Sequence, residues 1–352
     1  MEELLHWLLT TGGPVIRYRT FTELNPENQD YNAAELISSV KTSQKVALWL
    51  SLHPSSSSGS PFGIHGSKRY FYENFAPKVI QYGLNASMDM LSQYLAFFSS
   101  KINLSKDWGI LNLVKTCYAA FTIQLGVNDD ASLSYLVRRL NQIYTFVKDG
   151  IYDIYVEPSN YPSIPKPLRN RPLLNPDHYI DNLIPIPTIY DVLAAKTLYN
   201  TNYVDSNKIN TIINYIFTDQ FDSLHPEYGL YYDSIRKRFY VHGWKPHLEN
   251  YSFRKTPITN ASLLLLQLYI YSHFPAVQSQ DWFIWGMEIL ESYRTDRGTF
   301  ILPKGFLREN FSGYWVNGSY MGLGENRRSK NWRELESTYW ILTIKKNLKM
   351  RS

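Results

Sequence analysis

Several short stretches of this chain place acidic and imidazole side chains close together. In one of them, Asp177 and Asp181 flank His178, so two carboxylates and an imidazole could form an acid–base pair with an orienting partner. The same residues also suit a solvated loop that caps the following helix. We therefore take His178 and Asp181 as candidate catalytic residues, with a structural role as the alternative.

A second stretch carries one acidic candidate in a predicted hairpin. Residues 231–233 and 236–240 read as a pair of strands around a turn at 234–237. Asp233, at the end of the first strand, is a candidate acid. The basic residues that follow it also suit an exposed hairpin tip.

The segment from His242 to Glu249 could hold a ligand or a metal ion. His247 lies five residues after His242, and imidazole and carboxylate groups are ligands for zinc or manganese. However, Pro246 breaks the helical spacing and no third histidine is near, so we expect no metal at His242, His247 and Glu249. We take His242 and Glu249 as catalytic candidates. Trp244 and His247 are expected to line a bound ligand.

Two further stretches could bind an anion. Between residues 318 and 328, two glycines allow a close backbone approach, and Arg327 and Arg328 could hold a carboxylate or phosphate. Tyr320 in the same stretch is a further candidate for substrate binding, although glycines that simply close a turn are the alternative. After a serine-rich loop, His65 and Arg69 could belong to a lid that binds an anion.

The amino-acid composition limits the classes of protein to which this chain can belong. Hydrophobic residues make up 44% of the chain and charged residues 19%, as in a globular protein with a core. Aromatic residues reach 15%, which favours a cavity for bulky apolar or sugar-like ligands, although an AT-rich genome produces the same bias. The net charge of +5 is compatible with an anionic ligand, and without a block of Lys or Arg we expect no nucleic-acid partner.

The cysteine count and the first residues narrow the class further. The only cysteine, Cys117, lies in a predicted helix, which excludes an intrachain disulfide and a zinc site built from several cysteines. Glu2 and Glu3 stand where a secretory signal would be basic, and no apolar run approaches the length of a membrane span. We therefore predict a cytoplasmic protein without an integral membrane segment. The sequence indicates neither a cofactor nor an oligomeric state.

The predicted helices that must position these residues recur as a repeat in the sequence. Asp129, Asp205 and Asp281 lie 76 residues apart, and each opens a stretch whose apolar residues favour one helical face. Another apolar segment precedes each aspartate, and a glycine turn follows, so we predict helix pairs with the aspartate as an N-cap or first-turn acid. The predicted pairs lie near residues 111–150, 189–230 and 260–300, after N-terminal helices within residues 1–100.

Long non-helical segments separate the predicted helix pairs and carry most of the candidate residues. They cover residues 151–189, 225–258 and 298–331. Connections of this length in a compact domain are usually functional or disordered, and their aromatic and proline content favours order. We expect them to gather at one end of a single domain that spans residues 1–352.

Helix pairs joined by glycine–aromatic turns resemble the α/α-toroid proteins of the squalene–hopene cyclase and prenyltransferase-like group. The turn at residues 148–152 (Lys-Asp-Gly-Ile-Tyr) is similar to their QxxDGxW turns, and residues 7–20 resemble the start of stand-alone prenyltransferase-like proteins. The resemblance implies an all-α fold, a single (α/α) toroid or barrel of helix pairs with long, partly β-hairpin insertions at one end. It also implies a central cavity lined by aromatic residues.

The chemistry of that group cannot be transferred residue by residue. The DxDD acid motif of the cyclases and the DDxxD magnesium motif are absent, and the single cysteine does not allow a zinc–thiolate site. The first hypothesis is nevertheless a terpenoid cyclase- or prenyltransferase-like enzyme for a bulky apolar or isoprenoid-like substrate, because aromatic faces stabilise cationic intermediates. The expected partner is a small apolar or amphipathic molecule.

Two alternatives come from other classes of protein. One is a carbohydrate-active α/α-barrel hydrolase or lyase, whose carboxylate pair would come from Asp177, Asp181, Asp233 or Glu249. The other is a non-catalytic ligand-binding or scaffold protein. A polar cleft with two neighbouring carboxylates would favour the first of these alternatives.

Overall fold

A computed structural model describes the chain over residues 1–52, 63–99, 102, 104, 112–180, 184–252 and 257–349. The structure is 54% helical and contains, within these residues, fourteen α-helices and a four-stranded mixed sheet. The chain divides into two compact units, each discontinuous in sequence. Unit 1 comprises Met1–Lys101, Leu125–Val127 and Phe253–Ser352, and unit 2 comprises Ile102–Gln124 and Asn128–Ser252.

The helices and strands follow one another in a mixed order. The helices are α1 (Glu2–Thr11), α2 (Pro14–Arg19), α3 (Ala33–Thr42), α4 (Gln44–Leu50), α5 (Tyr72–Gln81), α6 (Asp89–Ser99), α7 (Asn112–Gln124), α8 (Asp130–Val147), α9 (Ile189–Leu198), α10 (Ser206–Ile216), α11 (Asp219–Ser223), α12 (Ala261–Tyr271), α13 (Asp281–Glu291) and α14 (Trp332–Lys349). The strands are β1 (Tyr155–Val156), β2 (Leu173–Leu174), β3 (Leu230–Asp233) and β4 (Arg238–Val241). Unit 2 contains α7–α11 and the sheet, and the other helices belong to unit 1.

The repeated aspartates begin helices, as predicted. Asp129 and Asp205 are the N-caps of α8 and α10, where each side chain accepts a backbone N–H from the first turn. Asp281 is the first residue of α13, where a negative charge is favourable with the helix dipole. Gly150 and Gly298 in the turns after α8 and α13 have φ values of +65° and +78°, which glycine adopts without steric strain.

The helices of the predicted pairs form, but α9 and α10 do not pack as the predicted pair: α9 packs mainly against α7 and α8, and α10 against α8 and α11. In unit 2, α7 packs against α8 and α9, and α8 also contacts α10. The third pair, α12 and α13, belongs to unit 1, where α12 also contacts α14. The local repeat of the sequence is therefore divided between the two units.

The prediction of an all-α toroid is wrong, because unit 2 contains a mixed four-stranded sheet. Strands β3 and β4 form the predicted hairpin, but β2 pairs with β3 in parallel and β1 pairs with β2 antiparallel. The buried backbone of Leu173 and Leu174 needs hydrogen-bond partners, and the neighbouring strands supply them. Strands of two residues, set among prolines, are too short to give a periodic signal in the sequence.

The aromatic surplus forms clusters within the units. In unit 1, the rings of Phe75 and Tyr94 stack with centroids 3.7 Å apart. In unit 2, Tyr152 and Tyr215 stack at 4.4 Å with nearly parallel planes. None of the helices in the described part of the chain combines the length and the hydropathy that a bilayer crossing requires.

Candidate functional site

The structure distributes the predicted site residues over both units. Unit 1 contains five of the substrate-binding candidates, namely His65, Arg69, Tyr320, Arg327 and Arg328. Unit 2 contains His178, Asp233, His242, Trp244, His247 and Glu249. Asp181 lies outside the described residues. The described candidates therefore fall into two groups, one in each unit.

In unit 1, two loops run antiparallel beside each other. Lys68 and Ser312 form an isolated antiparallel bridge. One residue further along, the guanidinium of Arg69 donates to the carbonyl oxygen of Asn310 at 2.6 and 3.1 Å. This pairing places the predicted Arg69 against the segment 309–325, which contains most of the polar groups described next.

A buried lysine contacts that segment. Nζ of Lys78, on α5, donates to Oε1 of Glu309 at 2.5 Å. It also donates to the carbonyl oxygens of Tyr320 and Gly322, at 2.9 and 2.5 Å. The ammonium lies 4.8 Å from the centroid of the Tyr82 ring. Burial lowers the pKa of Lys78, and the neighbouring charge of Glu309 opposes that shift.

A second glutamate, Glu336, also contacts the segment 309–325. Glu336 on α14 is fully buried, and its Oε1 accepts from the backbone N–H groups of Leu323 and Glu325 at 2.8 and 3.2 Å. Its Oε2 lies 3.2 Å from Nη2 of Arg327. Burial raises the pKa of Glu336 to about 7, with Arg327 opposing the rise and Glu309 adding to it. This carboxyl group therefore gains and loses its proton near neutral pH.

We call Lys78, Glu309, Arg327 and Glu336 the ionic cluster of unit 1. Glu309 and Arg327 have 28% and 30% of their side chains exposed, whereas the side chains of Lys78 and Glu336 are completely buried. The cluster thus has an outer pair that solvent reaches and an inner pair that it does not. Its two carboxyl groups lie in different environments, which is the condition that separates an acid from a base in an active site.

Gly322 lies at the centre of the ionic cluster. A Cβ atom at this position would lie 2.3 Å from Nη2 of Arg327 and 2.7 Å from Cγ of Glu309. We expect Gly322→Ala to lower the free energy of unfolding by about 1–3 kcal/mol, the usual effect of overpacking, because the cluster has no room for a methyl group. Equilibrium denaturation with urea measures this change.

Gly305→Ala is the matched control for that substitution. No atom lies within 4 Å of the Cβ that it introduces, so its effect should stay within about 0.5 kcal/mol. Equal stability of the two variants would contradict the close packing around Gly322.

Aromatic rings surround the guanidinium of Arg69. Its Cζ lies 5.2 Å from the ring centroid of Phe311 and 5.5 Å from that of Trp49. Tyr320 is also within reach, at 5.9 Å, and burial raises the pKa of its hydroxyl to about 12. Phe311 is 89% exposed. The outer side of the ionic cluster therefore continues into an exposed surface with one cation and one aromatic ring.

The predicted His65 forms a pair with a buried carboxylate. Its Nδ1 lies 2.7 Å from Oε1 of Glu73, and 36% of the imidazole side chain is exposed, against 1% of the Glu73 side chain. The imidazole stacks on Tyr314 with ring centroids 5.5 Å apart. A carboxylate that orients a partly exposed imidazole suits acid–base chemistry. Arg328, in contrast, is exposed in a turn away from these contacts.

In unit 2, Asp233 stabilises the β3–β4 hairpin. Its carboxylate accepts the backbone N–H groups of Ile235 and Arg236 at 3.0 and 2.8 Å, and the guanidinium of Arg236 at 2.7 Å. These contacts lower the pKa of Asp233 against the opposing effect of burial. Nε2 of His178 lies 3.3 Å from the carbonyl oxygen of Asp153, and its imidazole contacts the ring of Phe146.

In unit 2, the segment from His242 to Glu249 also makes contacts that stabilise the fold. The carbonyl oxygen of Trp244 accepts the N–H of Ile189, the first residue of α9. His247 is exposed and Glu249 is buried. His242 is fully buried, and its Nε2 has no hydrogen-bond partner among the described residues. In the described residues of both units, no group of three or more His, Cys, Asp or Glu could hold a metal ion.

A buried ion pair lies in the same unit as His242. Nε and Nη2 of Arg139, on α8, lie 3.2 and 3.3 Å from the carboxylate of Asp191 on α9. Asp191 also forms a capping box with Thr188, so its carboxylate accepts hydrogen bonds at the start of α9. Burial, together with the charge of Arg139, lowers the pKa of His242 to about 3. All three side chains are enclosed, and the ion pair of Arg139 and Asp191 joins α8 to α9.

Sequence reasoning did not identify Lys78, Glu309 or Glu336. For two of them a signal exists, because Lys78 and Glu336 are charged residues on helix faces that are otherwise apolar, and such residues are rarely buried without a partner. Lys78 falls between Phe75 and Tyr82 at helical spacing. Glu309 lies in an irregular segment and carries no comparable pattern.

Comparison with known proteins does not assign the chain to a family. No protein-family model, no curated protein sequence and no solved structure matches it.

Proposed function

We propose that the protein is a carbohydrate-active enzyme, a lyase or hydrolase, that uses the ionic cluster of unit 1 for acid–base chemistry. The supporting observation is the contrast between its two glutamates. Glu309 is partly exposed and contacts the Lys78 ammonium, whereas Glu336 is buried and has a pKa of about 7. Cleavage of a glycosidic bond needs one carboxyl group that carries a proton and one that does not.

The charge of the cluster favours an acidic sugar as substrate. When Glu336 is protonated, the positive charges of Lys78 and Arg327 exceed the single negative charge of Glu309. Arg69 adds another cation on the adjoining loop. A carboxylate on the substrate would balance this excess, and a guanidinium binds a carboxylate through two parallel N–H groups.

These residues would have distinct roles in an elimination reaction. Glu309 takes the proton from the carbon next to the substrate carboxylate, the bond to the leaving oxygen breaks, and a carbon–carbon double bond forms. Glu336 gives its proton to that oxygen. Because Glu336 is enclosed and contacts Arg327, the substrate must first draw the guanidinium outward. The exposed ring of Phe311 provides a face on which the sugar can stack.

We expect the purified protein to cleave polysaccharides built from uronic acids, and Glu309→Gln to lower kcat by about 10²–10⁴-fold, the usual contribution of general acid–base catalysis. The ultraviolet absorbance of the new double bond measures elimination, and reducing ends formed without it indicate hydrolysis. Because Glu336 must carry its proton, kcat should fall as the pH rises through about 7.

Glu288→Gln serves as the control, because Glu288 is exposed on α13 of the same unit. This variant should keep full activity, and circular dichroism should show that both variants are folded. The proposal is wrong if the folded wild type cleaves no acidic glycan, or if Glu309→Gln is as active as the wild type.

A terpenoid cyclase- or prenyltransferase-like activity remains the second proposal. It is favoured by Glu336, a buried carboxyl group with a raised pKa that could protonate an alkene. It ranks second because a carbocation would be repelled by Lys78 and Arg327. Incubation with linear isoprenoids and prenyl diphosphates, followed by mass spectrometry of the products, tests it. If neither substrate class is turned over, a binding or scaffold role is the expectation, and the cytoplasmic location stays a prediction.

A further inference from the structure

A small apolar pocket lies in unit 1, separate from the ionic cluster. It has a volume of about 180 Å³ and is bordered by α1, by the π-helical turn Thr20–Leu24 and by the last turns of α14. Its described lining consists of Met1, Leu5, Leu24, Leu342, Lys346 and Lys349. Four of these side chains are apolar and two are lysines.

Helical spacing explains why these side chains meet. Met1 and Leu5 are four residues apart at the start of α1, so they lie on the same side of that helix. Leu342, Lys346 and Lys349 follow at intervals of four and three on α14 and share one face of it.

The position of one lysine is held by the backbone. Nζ of Lys346 donates to the carbonyl oxygen of Glu23, which directly precedes Leu24 in the lining. An ammonium group has three N–H donors, so this contact leaves donors for a ligand. None of the described lining residues is acidic. The pocket therefore combines an apolar interior with a positive wall.

We propose that this pocket binds the alkyl chain of a free monocarboxylic acid of about six to eight carbons, with its carboxylate at Lys346. The chain length follows from the volume, because an apolar cavity of about 150 Å³ accommodates benzene. The head group follows from the ammonium group of Lys346, which attracts an anion and repels a cation. The proposal is independent of the acid–base function of the ionic cluster.

Isothermal titration calorimetry of the full chain with straight-chain carboxylates tests the proposal. We expect the affinity to rise about fourfold for each added methylene, the gain from burying one methylene, and to level off near eight carbons. Octanol should bind more weakly than octanoate, and octylamine more weakly still. An affinity that does not depend on chain length, or octanol binding as tightly as octanoate, would overturn the proposal.

Two substitutions test the apolar pocket and the contact with the carboxylate separately. Leu5→Phe fills the pocket from the half-buried Leu5 position and should lower the octanoate affinity at least tenfold, the effect of losing about two buried methylenes. Lys346→Met should lower the octanoate affinity up to about fivefold, a typical ion-pair contribution, and leave octanol binding unchanged. The exposed Lys304 provides the control Lys304→Met, which should change neither.

Folding of the variants is checked by their melting temperatures. If Leu5→Phe does not fold, Leu24→Phe fills the same pocket from another half-buried position and replaces it. Unchanged octanoate affinity in a folded pocket-filling variant would show that the ligand binds elsewhere, and the proposal would be wrong.

Discussion

We expect Lys78→Met to lower the free energy of unfolding by about 3 kcal/mol, because a carboxylate and two backbone carbonyl groups lose their shared donor and each acceptor left without a partner costs about 1 kcal/mol or more. Nζ of Lys78 is the donor for Glu309 and for two backbone carbonyl groups, and its side chain is completely buried. Methionine has a similar length but no N–H group, so these acceptors lose their partner. Urea denaturation of the full chain at neutral pH measures the loss.

Lys68→Met is the control for Lys78→Met. Lys68 belongs to the adjoining loop of unit 1 and is exposed, so its replacement should change stability by no more than about 0.5 kcal/mol. The double variant Lys78→Met/Glu309→Gln should recover part of the loss, because no uncompensated carboxylate remains. A loss below about 1 kcal/mol for Lys78→Met would contradict the dependence of these acceptors on the buried ammonium group.

The second large effect is a dependence of stability on pH that originates at His242 in unit 2. Burial and the charge of Arg139 lower its pKa from 6.5 to about 3. The unfolded chain therefore takes up this proton first, so the contribution to stability is complete above pH 6.5 and is lost as the pH falls towards 3. The loss amounts to about 2 kcal/mol at pH 5 and about 4 kcal/mol at pH 3.

Comparison of the wild type with His242→Phe isolates this contribution. We expect the difference in unfolding free energy between the two proteins to change by about 2 kcal/mol between pH 7.5 and pH 5, in favour of the variant in acid. His247→Gln, in the same segment but exposed, should follow the wild type. If the curves for His242→Phe and the wild type stay parallel from pH 7.5 to pH 4, His242 is not a buried neutral imidazole.

The buried ionisable groups of the two units differ in their access to solvent. In unit 2, Arg139, Asp191 and His242 are all enclosed, and the first two are used to join α8 and α9. In unit 1, the ionic cluster reaches solvent through Glu309 and Arg327. A substrate can therefore reach charged groups of unit 1 without unfolding any helix, which is why we place the proposed chemistry there.

The sequence by itself determined the local elements. Asp129 and Asp205 cap α8 and α10, and the apolar period of the neighbouring stretches matches the helices that form. The hairpin of β3 and β4 was also predictable, because its strands are joined by a short turn. Caps, periods and tight turns depend on residues within a few positions of one another, so one stretch of sequence carries the whole signal.

Only the tertiary structure decided the sheet and the candidate site. The parallel pairing of Leu173 with Leu230 joins distant segments and converts the expected all-α arrangement into a mixed one. Lys78 and Glu309 are 231 residues apart, yet their charged atoms are in contact. Such contacts depend on which buried groups must satisfy each other after the chain has folded. That requirement for hydrogen bonds and compensating charge in a low-dielectric interior has no counterpart in local sequence spacing.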